Sequence, residues 1–497
     1  MPRRSSRPPR RHRLGFSART LLAGGLALVL ALASCGGADD DGNGGEGSGQ
    51  TITLAGPNQW NSSSNSFGPA WDELLTKFTA DTGITVKTTV LPVDQFAQTL
   101  STQLAAGTAP ELVFNQAPHK PELVVPLNSY LDKPNPYVEG NQRWWDLFVS
   151  EKYGPKINNS INAKGQTEFV PFNLVATGLF VNEKVLADAG VKAPITTWSQ
   201  LMNGCVALRE AGYTPMAMDN GFLGLSWTMQ AISNMLFAKY YDQLNDYAPD
   251  GTEGKSPQLT GKDWAKAVLS KEVDATQTPE AAATIKLMKQ LYDNCATKNW
   301  SGIAPSGGGA VVGLDEFAAG KAGMAWGVNF GFSALEDVDF DVSSMPFPTI
   351  EKSDSDVATG FAAQYGASTG GTSYMIPATT KGDKLTAAVS FLQWMSAPDK
   401  IQDWLNASGG IPALKDATAP KATSGFAEGA WGEQMITGSG MPAGPPAVTI
   451  QSIYEGYLLG RRSDGDQLAE LQKQWVAGQK KAVEDNDWSD EPWAEGS

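Results

Sequence analysis

Apolar and polar residues alternate along the chain in two recurring patterns. The first is a short apolar run, as in TITLAG (51–56), ITVKTTV (84–90) and ELVF (111–114), which predicts a buried strand. The second is a helical pattern of apolar residues at i, i+3, i+4 and i+7. It occurs at Trp71, Leu74, Leu75 and Phe78. A similar helix, through DQFAQTLSTQLAAG (94–107), follows the second strand, and this alternation predicts a parallel α/β sheet.

The rest of the chain also contains predicted helices and strands. A helix at 197–211 precedes the segment TPMAMDN (214–220), and the residues from there to about 322 are mostly helical. A strand at SYMIPA (373–378) and four further helices complete the body, and the acidic tail, 484–497, predicts a frayed end. Parallel α/β sheets bind ligands at the carboxyl ends of their strands, so the loops after the first and third strands are candidate sites.

Residues 1–34 have the pattern of a secretory signal. Residues 1–19 contain seven arginines and no acidic residue. The apolar run that follows, 20–33, is shorter than the about 20 residues that a helix needs to span a bilayer. The end of this run, LASC (32–35), resembles the lipobox of bacterial lipoproteins, which implies cleavage before Cys35 and its lipidation. An ordinary signal with an incidental cysteine is the alternative. Residues 35–50 then form an acidic, glycine-rich tether.

Charge and composition narrow the classes of partner. Cleavage before Cys35 leaves 31 basic against 53 acidic residues, a net charge of about −22, which makes nucleic acid or anionic lipid a poor partner. His119 is then the one histidine, which excludes a His-rich metal site, and no cofactor is expected. Cys205 and Cys295 lie on apolar helical stripes, so they form either a disulfide or two buried thiols.

Four blocks of sequence occur in order along the chain: GTAPELVFNQA, VPFNLVATGLFVNEKVLADAGVKAPITTWSQL, FAAGKAGMAWGVNF and YMIPATTKGDKLTAAVSFLQWMSAPDKIQDWLNASGGIPA. Together they resemble the extracellular solute-binding proteins of ABC importers, family 1, the carbohydrate type that includes maltose-binding protein. The resemblance implies a two-lobed α/β fold of the periplasmic-binding-protein kind, with three hinge crossings. It implies an N-terminal lobe of 51–170 plus 345–396 and a C-terminal lobe of 171–344 plus 397–483.

The resemblance also implies a function. A protein of this family binds a sugar or oligosaccharide between its lobes, closes around it and delivers it to the permease subunits of an ABC transporter. The body of such a protein is expected to be monomeric. The lipid on Cys35 is expected to hold it at the outer face of the bacterial cytoplasmic membrane.

The predicted ligand contacts follow from the chemistry of a sugar. Its hydroxyls need amides or carboxylates as hydrogen-bond partners, and its weakly apolar C–H faces need flat aromatic rings. Residues of these types at strand ends, or in blocks that the family places at the cleft, are the candidates, together with one glycine of a turn that lets the backbone approach the ligand. They are Asn58, Trp60, Asn115, Gln116, Phe172, Asn173, Asn220, Phe222, Trp227, Trp326, Asn329, Phe330, Gly371 and Tyr374.

Two other functions compete with this one. A secreted glycoside hydrolase would need two carboxyl groups about 5–10 Å apart, and the acidic residues here fall mainly on predicted helix surfaces. A binding protein for a peptide, polyamine or phosphodiester would want charged groups in the cleft. The candidate loops offer amides and aromatic rings instead, which favours a neutral carbohydrate and no catalysis.

Overall fold

A computed structural model describes residues 49–57, 70–92, 95–149, 160–162, 164–248, 251–256, 259–305, 310–362, 366–367, 372–428 and 440–495. The predicted signal segment and Cys35 lie outside these ranges, as do the predicted contacts Asn58, Trp60 and Gly371.

The strands of the described residues form two sheets. They are β1 (Thr51–Pro57), β2 (Thr85–Leu91), β3 (Leu112–Phe114), β4 (Val175–Asn182), β5 (Thr214–Ala217), β6 (Ala322–Val328), β7 (Val342–Met345), β8 (Gly366–Ala367) and β9 (Tyr374–Met375).

The α-helices cover and connect these sheets. They are α1 (Trp71–Thr82), α2 (Phe96–Ala106), α3 (Asn128–Leu131), α4 (Glu183–Asp188), α5 (Trp198–Glu210), α6 (Phe222–Phe237), α7 (Tyr240–Leu244), α8 (Gly261–Leu269), α9 (Pro279–Asn294), α10 (Leu314–Ala318), α11 (Gly382–Trp394), α12 (Pro398–Ser408), α13 (Lys421–Ala427), α14 (Ile450–Leu458) and α15 (Asp464–Asp485). Among the described residues, none of these helices combines the length and the apolar character that a membrane crossing requires.

The first sheet has the strand order β2-β1-β3-β9. The first three strands are parallel, as predicted, and β9 joins them antiparallel through the pairing of Phe114 with Tyr374. Helix α1 buries the predicted apolar face against this sheet and ends at Gly83, whose φ of 71° is a left-handed conformation that glycine adopts without strain. The predicted α/β sheet is therefore confirmed, with one antiparallel strand added from far along the chain.

The second sheet has the order β5-β6-β4-β7. Strands β5 and β6 are parallel, whereas β4 lies antiparallel to both β6 and β7. Helices α5 and α9 pack on this sheet and are joined by the disulfide Cys205–Cys295, whose Cα atoms lie 5.2 Å apart. The two sheets give the predicted two-lobed α/β architecture.

The chain passes between the two sheets at positions that differ from those the resemblance implied. The first crossing lies at 174–175, since Leu174 still pairs with Ile411 of the first lobe and β4 begins one residue later. The second does not lie at 344, because Phe347 still stacks on Trp326 of the second sheet at 4.8 Å.

The third crossing lies between 415 and 421 rather than at 396. Helix α12 packs on α1, with the ring of Trp404 6.0 Å from that of Trp71, and Leu414 pairs with Phe148 of the first lobe. Helix α13 then packs on the second sheet through Phe426, whose ring is 5.0 Å from that of Phe180. The first lobe thus includes α12, which the expected boundaries assigned to the second.

The acidic tail is docked rather than frayed. The ammonium group of Lys262 lies 2.5 Å from the Glu491 carboxylate and 4.5 Å from the centre of the Tyr247 ring. The indole N–H of Trp493 donates to the Tyr247 hydroxyl at 3.0 Å, and Trp488 packs beside Val483 of α15. The prediction overlooked these aromatic residues, which bury apolar area against the body while the carboxylate finds a cation.

Candidate ligand-binding site

Four of the predicted contacts converge at one edge of the first sheet. Asn115 follows the carboxyl end of β3, and its backbone N–H donates to the Ser373 carbonyl at 3.2 Å, just before β9. The first crossing runs alongside: the Phe172 N–H donates to the Thr372 carbonyl at 2.9 Å, and the Thr372 N–H donates to the Asn173 side-chain oxygen at 2.6 Å. Because β9 is antiparallel, its start lies at the same edge as the end of β3. This group, hereafter the first edge, comprises Asn115, Phe172, Asn173, Ser373 and Tyr374.

The first edge holds buried polar atoms that have no hydrogen-bond partner among the described residues. They are Asn115 Nδ2 and Oδ1, Asn173 Nδ2, Ser373 Oγ and the Tyr374 hydroxyl. An unsatisfied buried polar group costs about 1–3 kcal/mol, so such a cluster indicates partners supplied from outside the described part of the chain. Burial raises the pKa of Tyr374 well above its ordinary value, so its hydroxyl is a neutral donor.

The aromatic rings of the first edge belong to the core. Phe172 is fully buried, with its ring 5.8 Å from that of Tyr374 and 5.9 Å from that of Phe391. The Tyr374 ring also packs on Phe114 at 5.9 Å, so only its hydroxyl is left for a ligand. Gln116, by contrast, is exposed. The first edge therefore offers hydrogen bonds, and neither ring offers a face for stacking.

The second sheet presents a different kind of edge. Strands β5 and β6 are parallel, so Asn220 and Asn329, which follow them, come to the same side. The Asn220 backbone N–H donates to the Ile303 carbonyl at 2.8 Å, which brings the exposed side chains of Phe222 and Ile303 onto adjoining segments. Phe222 is 58% exposed and Ile303 is 38% exposed. Gln451 donates from Nε2 to the Asn220 carbonyl at 3.3 Å, and its buried Oε1 has no partner among the described residues.

The carboxylate at this second edge is engaged by the backbone. Asp219 Oδ1 accepts from the Gly221 N–H at 2.8 Å, and Oδ2 accepts from the Gly313 N–H at 2.9 Å. The Asp219 side chain is buried, so it fixes the turn after β5 rather than facing solvent. The second edge (Asn220, Phe222, Ile303 and Gln451) is therefore apolar and amide-bearing.

Trp326 and Trp227 occupy different environments. Trp326 is fully buried on β6: its ring stacks on Phe347 with planes 9° apart, and its Nε1–H donates to the Thr228 hydroxyl at 3.0 Å. Trp227 is half-buried, 6.3 Å from Trp326. In the structure Trp326 is thus a core residue with no face open to a ligand, contrary to the sequence-based expectation. Trp227 keeps partial exposure near the second edge.

Asn329 serves the hinge in the structure. Its fully buried side chain accepts from the Ala176 N–H of β4 at 3.1 Å and donates to the Gly409 carbonyl at 3.1 Å, just after α12. It therefore ties the start of β4, the end of β6 and a first-lobe segment together, and its side chain has no exposed surface. Phe330, the next residue, is half-buried against the first core.

Replacing Asn329 with alanine is expected to lower the free energy of unfolding by about 2–3 kcal/mol, because the Ala176 N–H and the Gly409 carbonyl both lose a buried partner. Chemical denaturation of N329A against the wild-type protein measures this loss. N220A, at a half-buried position, is the control and should change stability far less. A stable N329A that no longer binds ligand would contradict the hinge role.

Comparison with known proteins identifies the family. The family model described as bacterial extracellular solute-binding protein matches residues 73–428. The chain belongs to this family. A protein of Brucella abortus (strain 2308), named only as a candidate binding protein, is 25% identical over 263 residues, covering 52% of this chain and 54% of that protein. The solute-binding protein thus spans about half the length of the curated relatives it matches.

Solved structures share the fold of this solute-binding protein. A probable secreted solute-binding lipoprotein of Streptomyces coelicolor superposes with a TM-score of 0.57 at 17% identity, over 86% of this chain and 98% of that one. The solute-binding protein RafE in complex with raffinose gives 0.56 at 18% identity, over 86% and 99%. A chitin oligosaccharide binding protein gives 0.53 at 19% identity, over 86% and 98%. These likenesses establish the two-lobed fold.

Sequence reasoning missed three residues of the two edges: Ser373, Ile303 and Gln451. Ser373 lies directly before the predicted Tyr374, and only the antiparallel pairing of β9 brings it to the first edge. Ile303 follows no strand of either sheet, so its place beside Asn220 has no local signal. Gln451 lies in the first turn of α14, far along the chain from Asn220, and follows no strand that would mark it as a candidate.

Proposed function

We propose that this solute-binding protein takes a neutral carbohydrate between its first and second edges and delivers it to the permease of an ABC importer. The observation that carries the proposal is that one edge offers hydrogen-bonding groups and the other offers exposed apolar side chains. The first edge supplies neutral, unsatisfied hydrogen-bonding atoms, and the second supplies exposed Phe222 and Ile303.

This pairing matches the two surfaces of a sugar. Hydroxyl groups both donate and accept, as do the amide of Asn115 and the hydroxyls of Ser373 and Tyr374. The C–H face of a sugar ring is weakly apolar and packs against an aromatic side chain such as Phe222. A polyamine would need free carboxylates instead, and Asp219 is already held by two backbone N–H groups.

The same residues favour a binding function over glycoside hydrolysis. Glycoside hydrolysis needs two carboxyl groups about 5–10 Å apart around the scissile bond. The carboxylate described at the second edge, that of Asp219, is buried and held by two backbone N–H groups, and the named residues of the first edge carry none. Solved proteins of the same fold are named for binding raffinose and a chitin oligosaccharide, which is in keeping with a carbohydrate ligand here.

The proposed mechanism is ligand-driven closure. A sugar that contacts both edges favours the closed arrangement of the lobes, and the crossings at 174–175 and 415–421 are where the chain can bend. The permease then recognises the closed form. Asn58, Trp60 and Gly371 remain proposed contacts, and Cys35 the proposed lipid anchor that holds a monomeric body outside the cytoplasmic membrane.

Thermal unfolding against a panel of solutes tests the proposal. The panel comprises raffinose, chitin oligosaccharides, maltodextrins and monosaccharides, with spermidine and a tripeptide as charged controls. A ligand at 100 times its dissociation constant adds about 2.7 kcal/mol to the free energy of unfolding, which raises the midpoint measurably. A rise with one class of sugar and no hydrolysis product supports the proposal. A rise with a charged control alone would contradict it.

Replacing Phe222 with alanine is expected to weaken sugar binding about 10- to 100-fold, because burying a phenylalanine side chain is worth about 1.5–3 kcal/mol. Stability should change little, since the ring is mostly exposed before ligand binds. Isothermal titration calorimetry measures the affinity. V206A is the matched control: Val206 is an exposed apolar residue at 50%, on α5, outside either edge. Equal affinities in F222A and V206A would remove Phe222 from the site.

A further inference from the structure

His119 lies between two hydrogen-bond acceptors. Its Nδ1 is 2.7 Å from the Ala117 carbonyl oxygen and its Nε2 is 3.1 Å from Glu168 Oε2, and both side chains are only 11% exposed. A neutral imidazole has a single N–H, which can serve only one of these oxygens. Hydrogen bonds to both oxygens therefore require one proton more than a neutral imidazole beside an ionised carboxylate provides.

This pair connects the first edge to the first crossing. Ala117 closes a turn from β3, with its N–H donating to the Phe114 carbonyl at 3.3 Å, and the turn carries Asn115 and Gln116. Glu168 stands four residues before Phe172, and its Oε1 accepts from Asn162 Nδ2 at 2.8 Å, which fixes the carboxylate. The imidazole thus spans from the turn that carries Asn115 to the segment that enters the first crossing.

We propose that the proton shared by His119 and Glu168 is a latch that holds the Asn115 turn against the segment entering the first crossing, so that ligand affinity falls when this proton is lost. The inference rests on the proposed function, since it concerns the regulation of the same site. Without the proton, the one remaining N–H serves either Glu168 Oε2 or the Ala117 carbonyl, so two acceptor atoms face each other at the other contact and the imidazole no longer joins the two.

The charges around the imidazole agree with this arrangement. Burial lowers the pKa of His119, but the hydrogen bonds to Glu168 and the Ala117 carbonyl, with the charge of Glu168, outweigh it and leave the pKa above its ordinary value. Along the same segments, Lys120 is exposed, and Lys164 pairs with Glu122 at 3.8 Å near the surface. The latch is therefore fully present below about pH 6.5, the pKa of a free histidine, and is lost as the pH rises through the higher folded value.

Hydrogen exchange of the full chain tests the latch without any ligand. Peptides covering 112–123 are compared at pH 6 and pH 9 after correction for the chemical exchange rate. In the wild type, protection of this turn should fall about tenfold at the higher pH, the size expected for a hydrogen bond to a charged group. H119A should show the low protection at both values. Equal protection of the wild type at both values would overturn the proposal.

Glu168→Gln is the matched variant. Its amide N–H can donate to the Nε2 of a neutral imidazole, and its oxygen can still accept from Asn162, so the contact no longer needs the extra proton. We expect E168Q to keep the turn protected at both pH values. E168Q that responds to pH as the wild type does would show that another group is responsible, and would also overturn the proposal.

The coupling to ligand is measured by calorimetry with the sugars of the panel above, including raffinose. Wild-type affinity should be about tenfold weaker at pH 9 than at pH 6, and that of E168Q should be unchanged. A sugar that binds the wild type equally at both values overturns the coupling while leaving the proposed function intact. If no sugar binds at either pH, the proposed function fails, and the exchange result alone decides whether the latch exists.

Discussion

Replacing Trp326 with alanine is expected to lower the free energy of unfolding by about 3–5 kcal/mol, the usual cost of truncating a buried tryptophan. The ring is fully buried in the second lobe, stacks on Phe347 at 4.8 Å and gives its N–H to Thr228. Its removal leaves a cavity and an unpaired hydroxyl. Denaturant unfolding of W326A against the wild-type protein measures the loss.

Trp227 supplies the comparison for this experiment. It lies 6.3 Å from Trp326 but is only half-buried, so W227A should cost less stability than W326A. W326F should recover part of the loss, because a phenylalanine ring can still pack on Phe347. If W326A unfolds like the wild type yet no longer binds sugar, Trp326 is a ligand contact and its assignment to the core is wrong.

Removing the disulfide Cys205–Cys295 is expected to cost about 4–5 kcal/mol of stability, because the bridge closes a loop with a sequence separation of 90 residues. The double variant C205A/C295A is compared with the wild type by chemical denaturation under non-reducing conditions. Both cysteines are buried, so alanine adds no polar group to the core. The bridge joins α5 to the end of α9 and includes no residue of either edge.

Reductant provides the control for the disulfide. Wild-type protein unfolded with dithiothreitol should approach the stability of C205A/C295A, whereas the double variant should be indifferent to it. A double variant as stable as the oxidised wild type would mean that the bridge contributes nothing to the fold. Sugar affinity is expected to survive the substitution at temperatures where the protein stays folded.

The local pattern of apolar and polar residues was sufficient to predict helices and strands that are defined within about a dozen residues of sequence. The apolar face of α1 and the alternation of β1, β2 and β3 with helices are confirmed at nearly the predicted bounds. The sequence was a poorer guide to which lobe each later segment belongs to. Phe347 and Trp404 look alike as buried aromatic residues in the sequence, yet one packs on the second sheet and the other on α1. That choice depends on partners far away in the chain, which no local pattern encodes.

In the candidate site, too, some residues were predicted from local sequence and others depend on packing partners that are distant in the chain. Asn115 was predicted from the carboxyl-end rule and Asn220 from the corresponding position in the second lobe, and each lies at a sheet edge. The aromatic residues were harder to place, because a ring can point into the core or toward solvent from neighbouring positions. Trp326 is fully buried and Phe222 mostly exposed, although both were predicted as stacking rings. Only the packing of each side chain decides between these environments.

The pairing of β3 with β9 has a consequence for how the protein acquires its structure. Phe114 and Tyr374 are about 260 residues apart, whereas the strands of the second sheet proper, β4 to β7, all come from 175–345. Contacts between distant segments form slowly, because the intervening chain must first lose its conformational freedom. The second lobe can therefore complete its sheet while the first still lacks its final strand. On refolding, the edge that bears Asn115, Ser373 and Tyr374 should be among the last regions to assemble, so binding activity should return later than the bulk of the secondary structure.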